Sequence, residues 1–169
     1  MRTFLRSLIL LALVVWVGGL LFFGAVLAPV AFGSLMPMFP DPAVGLNAAG
    51  LMVRTSLLDL HSIGIVCGIA LLVLFIAERV TRATRRSIAP QLVLAAAMLG
   101  LTAYSQFSVI PRMEILRVRA GAAMADPTST NPARMDFNRL HHLSTYLEGI
   151  VLVCGLGIIV LYARPEPTT

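Results

Sequence analysis

The chain contains no lysine: all 13 of its basic residues are arginine. Charge of either sign is scarce, at 12% of residues, about half of what a soluble domain carries. A surface that sparse cannot solvate an ordinary globule, which argues against a soluble fold before any motif is read. Cysteine is nearly absent too. Cys67 and Cys154 both fall inside apolar runs and at no ligand spacing, so neither a disulfide framework nor a zinc site is supported, and both read as small buried hydrophobes. There is no Gly-rich phosphate loop, no Gly-x-Ser-x-Gly elbow and no His-Glu-x-x-His pair, hence no soluble-enzyme signature. The few aromatics do not interleave with the arginines, and a net charge of +5 spread over loops gives no reason to expect a nucleic-acid partner.

What the sequence does have is apolar length. Hydrophobic residues make up 58% of the chain, mean hydropathy is +0.89, and the apolar residues come in blocks long enough to cross a bilayer of about 30 Å at 1.5 Å per residue. Four spans are expected, over Leu8–Phe32, Leu57–Ala77, Ile88–Ile110 and Leu140–Ala163. The predicted fold class is all-α: a four-helix transmembrane bundle of up-down topology, residues 1–169 forming a single integral membrane domain in contact with the lipid bilayer. The basic start, Met1 to Arg6, resembles that of a signal peptide, but the apolar stretch after it is too long for one and reads as a retained first span.

Turn chemistry fills in the connections. Asp41-Pro42 can cap a short helix over Ala43–Val53, expected to lie at the interface between spans one and two. Asn131-Pro132 should start the last helix outside the hydrocarbon, and Arg164-Pro165 should stop it. Met113–Arg119 reads as an amphipathic continuation of span three, kinked at Pro111. Gly64-x-x-x-Gly68 in span two, with Gly18, Gly19 and Gly24 in span one, allows close helix approach, and Trp16 is expected to pack inside rather than join an aromatic belt. Arg79, Arg82, Arg85 and Arg86 crowd the loop between spans two and three, and Arg2 and Arg6 precede span one. The positive-inside rule then places both termini in the cytoplasm, against the pull of Arg112, Arg117, Arg119, Arg134 and Arg139 on the opposite side.

The polar residues gather at that opposite, outer end. Asp59 and His61 enter span two; Tyr104, Ser105, Gln106 and Arg112 leave span three; His141, His142, Thr145 and Glu148 enter span four. His141, Thr145 and Glu148 share one helical face, and a carboxylate inside the apolar layer must find a partner or keep its proton. Two readings stand side by side. The groups can serve as interfacial tethers, pairing Asp59 with Arg54, Glu114 with Arg117, and Asp136 with Arg139 or Arg112. Alternatively His61 and His141, with His142 as alternate, ligate haem iron or copper while Glu148 orients them. Met36 and Met38, with Met52, Met113, Met124 and Met135 on the same side, would suit Cu(I), although methionine also packs irregular interfaces.

Several segments recur together in one family: Trp16-Val-Gly-Gly19 with Phe22-Phe23, Pro29 and Phe32; Ala49-Gly50; Ile110-Pro-Arg-Met-Glu-Ile-Leu-Arg117; and Phe137-x-x-Leu-His141-x-Leu-Ser144. In these the chain resembles the bacterial domain-of-unknown-function group related to transmembrane protein 205. Span one bears a more distant likeness to copper-resistance D proteins and the membrane protoporphyrinogen oxidases, which place a histidine upstream of the tryptophan; Ser7–Ala12 has none. The nearer resemblance implies a four-span protein of the bacterial inner membrane, singles out His141, and hints at metal or drug handling. The function expected is therefore that of a non-enzymatic scaffold, accessory subunit or small-molecule or metal handler acting at the outer face, as a homo-oligomer or within a larger membrane complex. The alternative is a histidine-ligated haem or copper redox protein.

Overall fold

The computed structural model describes residues 2–81, 88–126 and 128–163. Arg82, Arg85 and Arg86 of the basic loop, and the Arg164-Pro165 stop, lie outside the described residues. Among the described residues there is no strand and there are four helical rods long and apolar enough to cross a membrane: Thr3–Met38, Pro42–Thr81, Ala89–Met124 and Pro132–Ala163. The first comprises α1 (Arg2–Phe22), a π-helical turn (Phe23–Leu27) and α2 (Ala28–Leu35). The second is α3 (Pro42–Thr81). The third comprises α4 (Ala89–Tyr104), a π-helical turn (Ser105–Val109) and α5 (Ile110–Ala120), and the fourth is α6 (Pro132–Ala163).

Local chemistry sets the starts. Asp41 accepts from the Ala43 N–H through Oδ1 at 2.8 Å, and Asn131 does the same for Ala133 at 2.9 Å. Each satisfies one of the amides that a first helical turn leaves unpaired, and each is followed by a proline with no amide to satisfy. Gly121, at φ 53°, ends α5.

One expectation needs correction. Residues 43–53 do not form a separate interfacial helix; α3 runs without a break from Pro42 through span two. Nothing between Val53 and Leu57 breaks a helix: Arg54, Thr55 and Ser56 change the polarity but not the backbone, and Thr55 satisfies its hydroxyl on the Leu51 carbonyl at 2.9 Å. At 40 residues, α3 is about 60 Å long, roughly twice the hydrocarbon thickness, so a large part of it stands outside the apolar layer or tilts within it.

The two π-helical turns share one cause. Each ends two residues before a proline, Pro29 or Pro111. A proline inside a helix cannot donate to the carbonyl four residues back, and its ring crowds that carbonyl. The residue before it, Ala28 or Ile110, instead sends its N–H five residues back, to the Phe23 or Ser105 carbonyl. The widened turn absorbs the proline and keeps the helix running on, so the kink expected at Pro111 appears as a π insertion.

The rods pack in a ring. α1 neighbours α3 and α6, and α4 neighbours the same two, which leaves α3 and α6 facing each other across the bundle axis. The core is Ile9, Leu13, Trp16, Val17 and Leu20 with Leu71, Phe75, Met98, Val151 and Ile158. Trp16 is 1% exposed and lies over Gly64 and Gly68, as expected of a packed indole on a small-residue face. Leu11, Val14, Val66, Val73, Val93, Val153 and other large apolar side chains point outward, the arrangement that lipid requires.

Candidate functional site

The bundle holds two buried polar centres, and each bridges the long diagonal between α3 and α6. The first lies towards the end that carries the loops. His61, 1% exposed on α3, places Nε2 2.7 Å from Oε1 of Glu148 on α6, whose side chain is 18% exposed. The Ser105 hydroxyl, fully buried at the start of the second π turn, donates to the same Oε1 over a longer 3.4 Å. Gln106 follows it and reaches towards α3, with Nε2 3.4 Å from both the Leu58 carbonyl and the Ser62 hydroxyl. Ser62 in turn donates to the Leu58 carbonyl at 2.9 Å. The extra residue in the π turn rotates everything after it relative to a plain α-helix, which brings Ser105 to the interior and Gln106 to the α3 seam.

The centre is incompletely satisfied among the described residues. Nδ1 of His61, Oε2 of Glu148, Oε1 of Gln106 and Oγ1 of Thr102 are all buried without a hydrogen-bond partner. Thr102 is 1% exposed and lies one turn from Ser105 on the same helix face. Four such atoms within so short a stretch of an apolar bundle are unusual, because each buried unpaired group costs free energy.

The second centre is at the end carrying the termini. Glu78, 3% exposed, accepts from the Tyr162 hydroxyl at 3.1 Å, and the Arg6 guanidinium lies 5.6 Å above the Tyr162 ring. Phe75 packs against the same ring at 6.3 Å. Glu78 was expected only to close span two, and its phase around the helix turns it inward instead.

The other expected residues are placed differently. His141 and His142 are exposed; His141 stacks on Phe137 at 6.2 Å, and its ring is 6.2 Å from that of His142. Asp59 and Arg112 are exposed. His61 therefore meets Glu148, where the sequence set it level with His141: α3 begins far ahead of span two, so His61 sits roughly five turns into its helix and Glu148 between four and five into the parallel α6. Among the described residues no three or more His, Cys, Asp or Glu side chains are grouped so as to hold a metal ion.

The outer tethers are present with one exchange of partner. Glu114 takes both Arg117 nitrogens, at 2.9 and 2.7 Å, and Arg54 approaches it at 3.5 Å, while Arg117 also bonds Asn47. Arg54 thus pairs across helices with Glu114, and Asp136 pairs with Arg139 at 3.5 Å. In the loop beyond, Asp126 accepts from the hydroxyl and amide of Thr128, which holds its carboxyl below the usual carboxylate range.

A bundle of this kind, four apolar rods around two polar bridges, is that of a multi-pass membrane protein. The family model described as "Domain of unknown function (DUF4149)" matches residues 11–122, and the chain belongs to that family. The match spans α1 through α5 and includes His61, Thr102, Ser105 and Gln106. No curated protein and no solved structure matches the chain. The likeness to transmembrane protein 205 and to copper-resistance D proteins has no support in these comparisons.

Proposed function

We propose that this is a non-catalytic, multi-pass membrane protein that handles a small molecule or ion at the His61–Glu148 centre, in the outer half of the bundle. The observation that carries the reading is the pair itself: a histidine and a carboxylate hydrogen-bonded across the axis of an apolar bundle, with Nδ1 and Oε2 left over. Ionisable side chains in membrane helices mark ligand or ion sites far more often than they brace structure. The arginines fit a placement with both termini in the cytoplasm and the loop end outside, as in a bacterial inner membrane. Four spans enclose little private space, so the working form is a homo-oligomer or an accessory subunit of a larger membrane complex.

Haem and copper chemistry draws no support from the geometry, since His61 spends Nε2 on Glu148 while His141 and His142 point outward. The test is ligand-linked stability. Wild type and Glu148→Gln, reconstituted in lipid nanodiscs, are melted across a panel of small ions, small solutes and pH values. Binding to the folded state raises the melting temperature with concentration. We expect at least one response in wild type that Glu148→Gln loses. Identical responses throughout the panel would remove the centre from the function.

A further inference from the structure

The orphaned atoms around His61 and Glu148 identify the ligand class, on the reading that this centre is the working one. Two acceptors do not approach to 2.7 Å without a hydrogen between them, and a carboxylate oxygen opposite an unprotonated Nε2 would be two acceptors. The observed contact therefore requires a proton on the pair. With that proton the pair is neutral overall, whether written as imidazolium and carboxylate or as imidazole and carboxylic acid. Without it the pair carries one negative charge inside an apolar bundle, which is the costly state.

No other charge faces the pair from the packed elements. α1 presents Trp16, Val17 and Leu20. α4 and the π turn present Thr102, Ser105 and Gln106, all uncharged, while Tyr104 is exposed. On α3 the nearest ionisable group, Asp59, is exposed, and on α6 His141, His142 and Tyr146 are exposed as well. Access is one-sided. Glu148 is partly open and shares its helix face with the exposed Thr145 and His141, whereas the way towards the termini is filled by Trp16, Leu71, Phe75, Met98 and Ile158. A proton can be taken up there, but nothing polar carries it across the core to Glu78.

We propose that His61 and Glu148 form an intramembrane proton-binding site, loaded from the loop end of the bundle, and that the bound proton is what ties α3 to α6 across the axis. In loading, hydronium in the outer aqueous phase gives H+ to the empty imidazole–carboxylate pair, whose charge goes from −1 to 0, and water is left behind. Ser105 donates to the same carboxylate oxygen, and Thr102, Gln106 and the leftover Nδ1 and Oε2 can hold the waters that relay the proton. Unloading leaves two acceptors facing each other and opens the tie.

Two measurements test it. Nitrogen-15 NMR of histidine-labelled wild type in nanodiscs needs no variant. The exposed His141 and His142 should titrate near the ordinary histidine value of about 6.5, while the His61 ring signals stay unmoved through that range and change only at higher pH. His61 titrating together with the other two would overturn the proposal. The second is the pH dependence of unfolding. The unfolded chain has lost this proton above about pH 6.5, and the folded pair still holds it, so stability should fall as pH rises, with the unfolding constant growing by up to tenfold per pH unit. Glu148→Gln should lose that dependence, and a matching slope in wild type and variant would count against the site. If the variant loses a response to some other ion or solute while the His61 signals titrate normally, the functional reading stands and the proton assignment falls.

Discussion

Adding one methyl group at Gly64 should destabilise the bundle at its tightest crossing. A Cβ built there would lie 2.5 Å from Nε1 of Trp16, 2.9 Å from Cε2 and 3.1 Å from Cδ1. The obstacle is a rigid ring, not the free end of a flexible chain, and the ring has no room to yield. Its far edge already lies 3.0 Å from the Cβ position of Gly68, and the residue is 1% exposed. Overpacking of this kind costs about 1–3 kcal/mol, while replacing glycine by alanine in a helix returns up to about 1 kcal/mol. Gly64→Ala should therefore lose about 1–2 kcal/mol. Gly100→Ala, where nothing lies within 4 Å of the new methyl, should lose nothing and serves as the control. The chain has one tryptophan, so indole emission reports directly on the crowded ring during thermal unfolding in nanodiscs. Trp16→Phe in the Gly64→Ala background, followed by circular dichroism, should recover part of the loss, because the smaller ring vacates the space the methyl needs. Gly64→Ala melting with wild type and showing unchanged emission would refute the close approach of α1 and α3.

Two further perturbations probe the polar centres. Tyr162→Phe removes the donor to buried Glu78 and should cost about 1–3 kcal/mol in thermal unfolding, whereas an unchanged melting temperature would mean the contact is idle. Pro111→Ala restores an amide that can bond the Phe107 carbonyl, so the π turn should revert to α and carry Ser105 away from Glu148. The His61 ring signals should then shift although no residue of the pair has been touched, and unchanged signals would separate the π turn from the site.

Much of the bundle was legible because membrane and capping signals are local. The four apolar runs, the caps at Asp41 and Asn131, and the packing of Trp16 on Gly64 and Gly68 each depend on a few neighbouring residues. The site was legible only in its parts. His61 and Glu148 both stood out as costly in an apolar layer, yet their pairing depends on how far each helix extends beyond its apolar run. Arg54-Thr55-Ser56 reads as a boundary in polarity, and the helix passes straight through it, which pushed His61 deeper than its place in the span implied. Glu78 depended on helix phase over many turns, where small errors in rotation decide between core and surface. The π turns were least legible: Pro29 and Pro111 announce a perturbed helix, but how the backbone absorbs a proline is settled by what packs around it.

The placement of both polar bridges on the same diagonal has a mechanical consequence. Four struts joined in a ring resist skewing only when a diagonal is braced, and here the α3–α6 diagonal carries a brace at each end while the α1–α4 diagonal has neither. Undoing one brace does not loosen the frame evenly. With Glu78 and Tyr162 still joined, the terminal end keeps its cross-section and acts as the hinge. The loop end is then free to shear from one rhombus towards another. A change confined to two side chains would thus be felt by the surrounding lipid as a change in outline at one face of the membrane only.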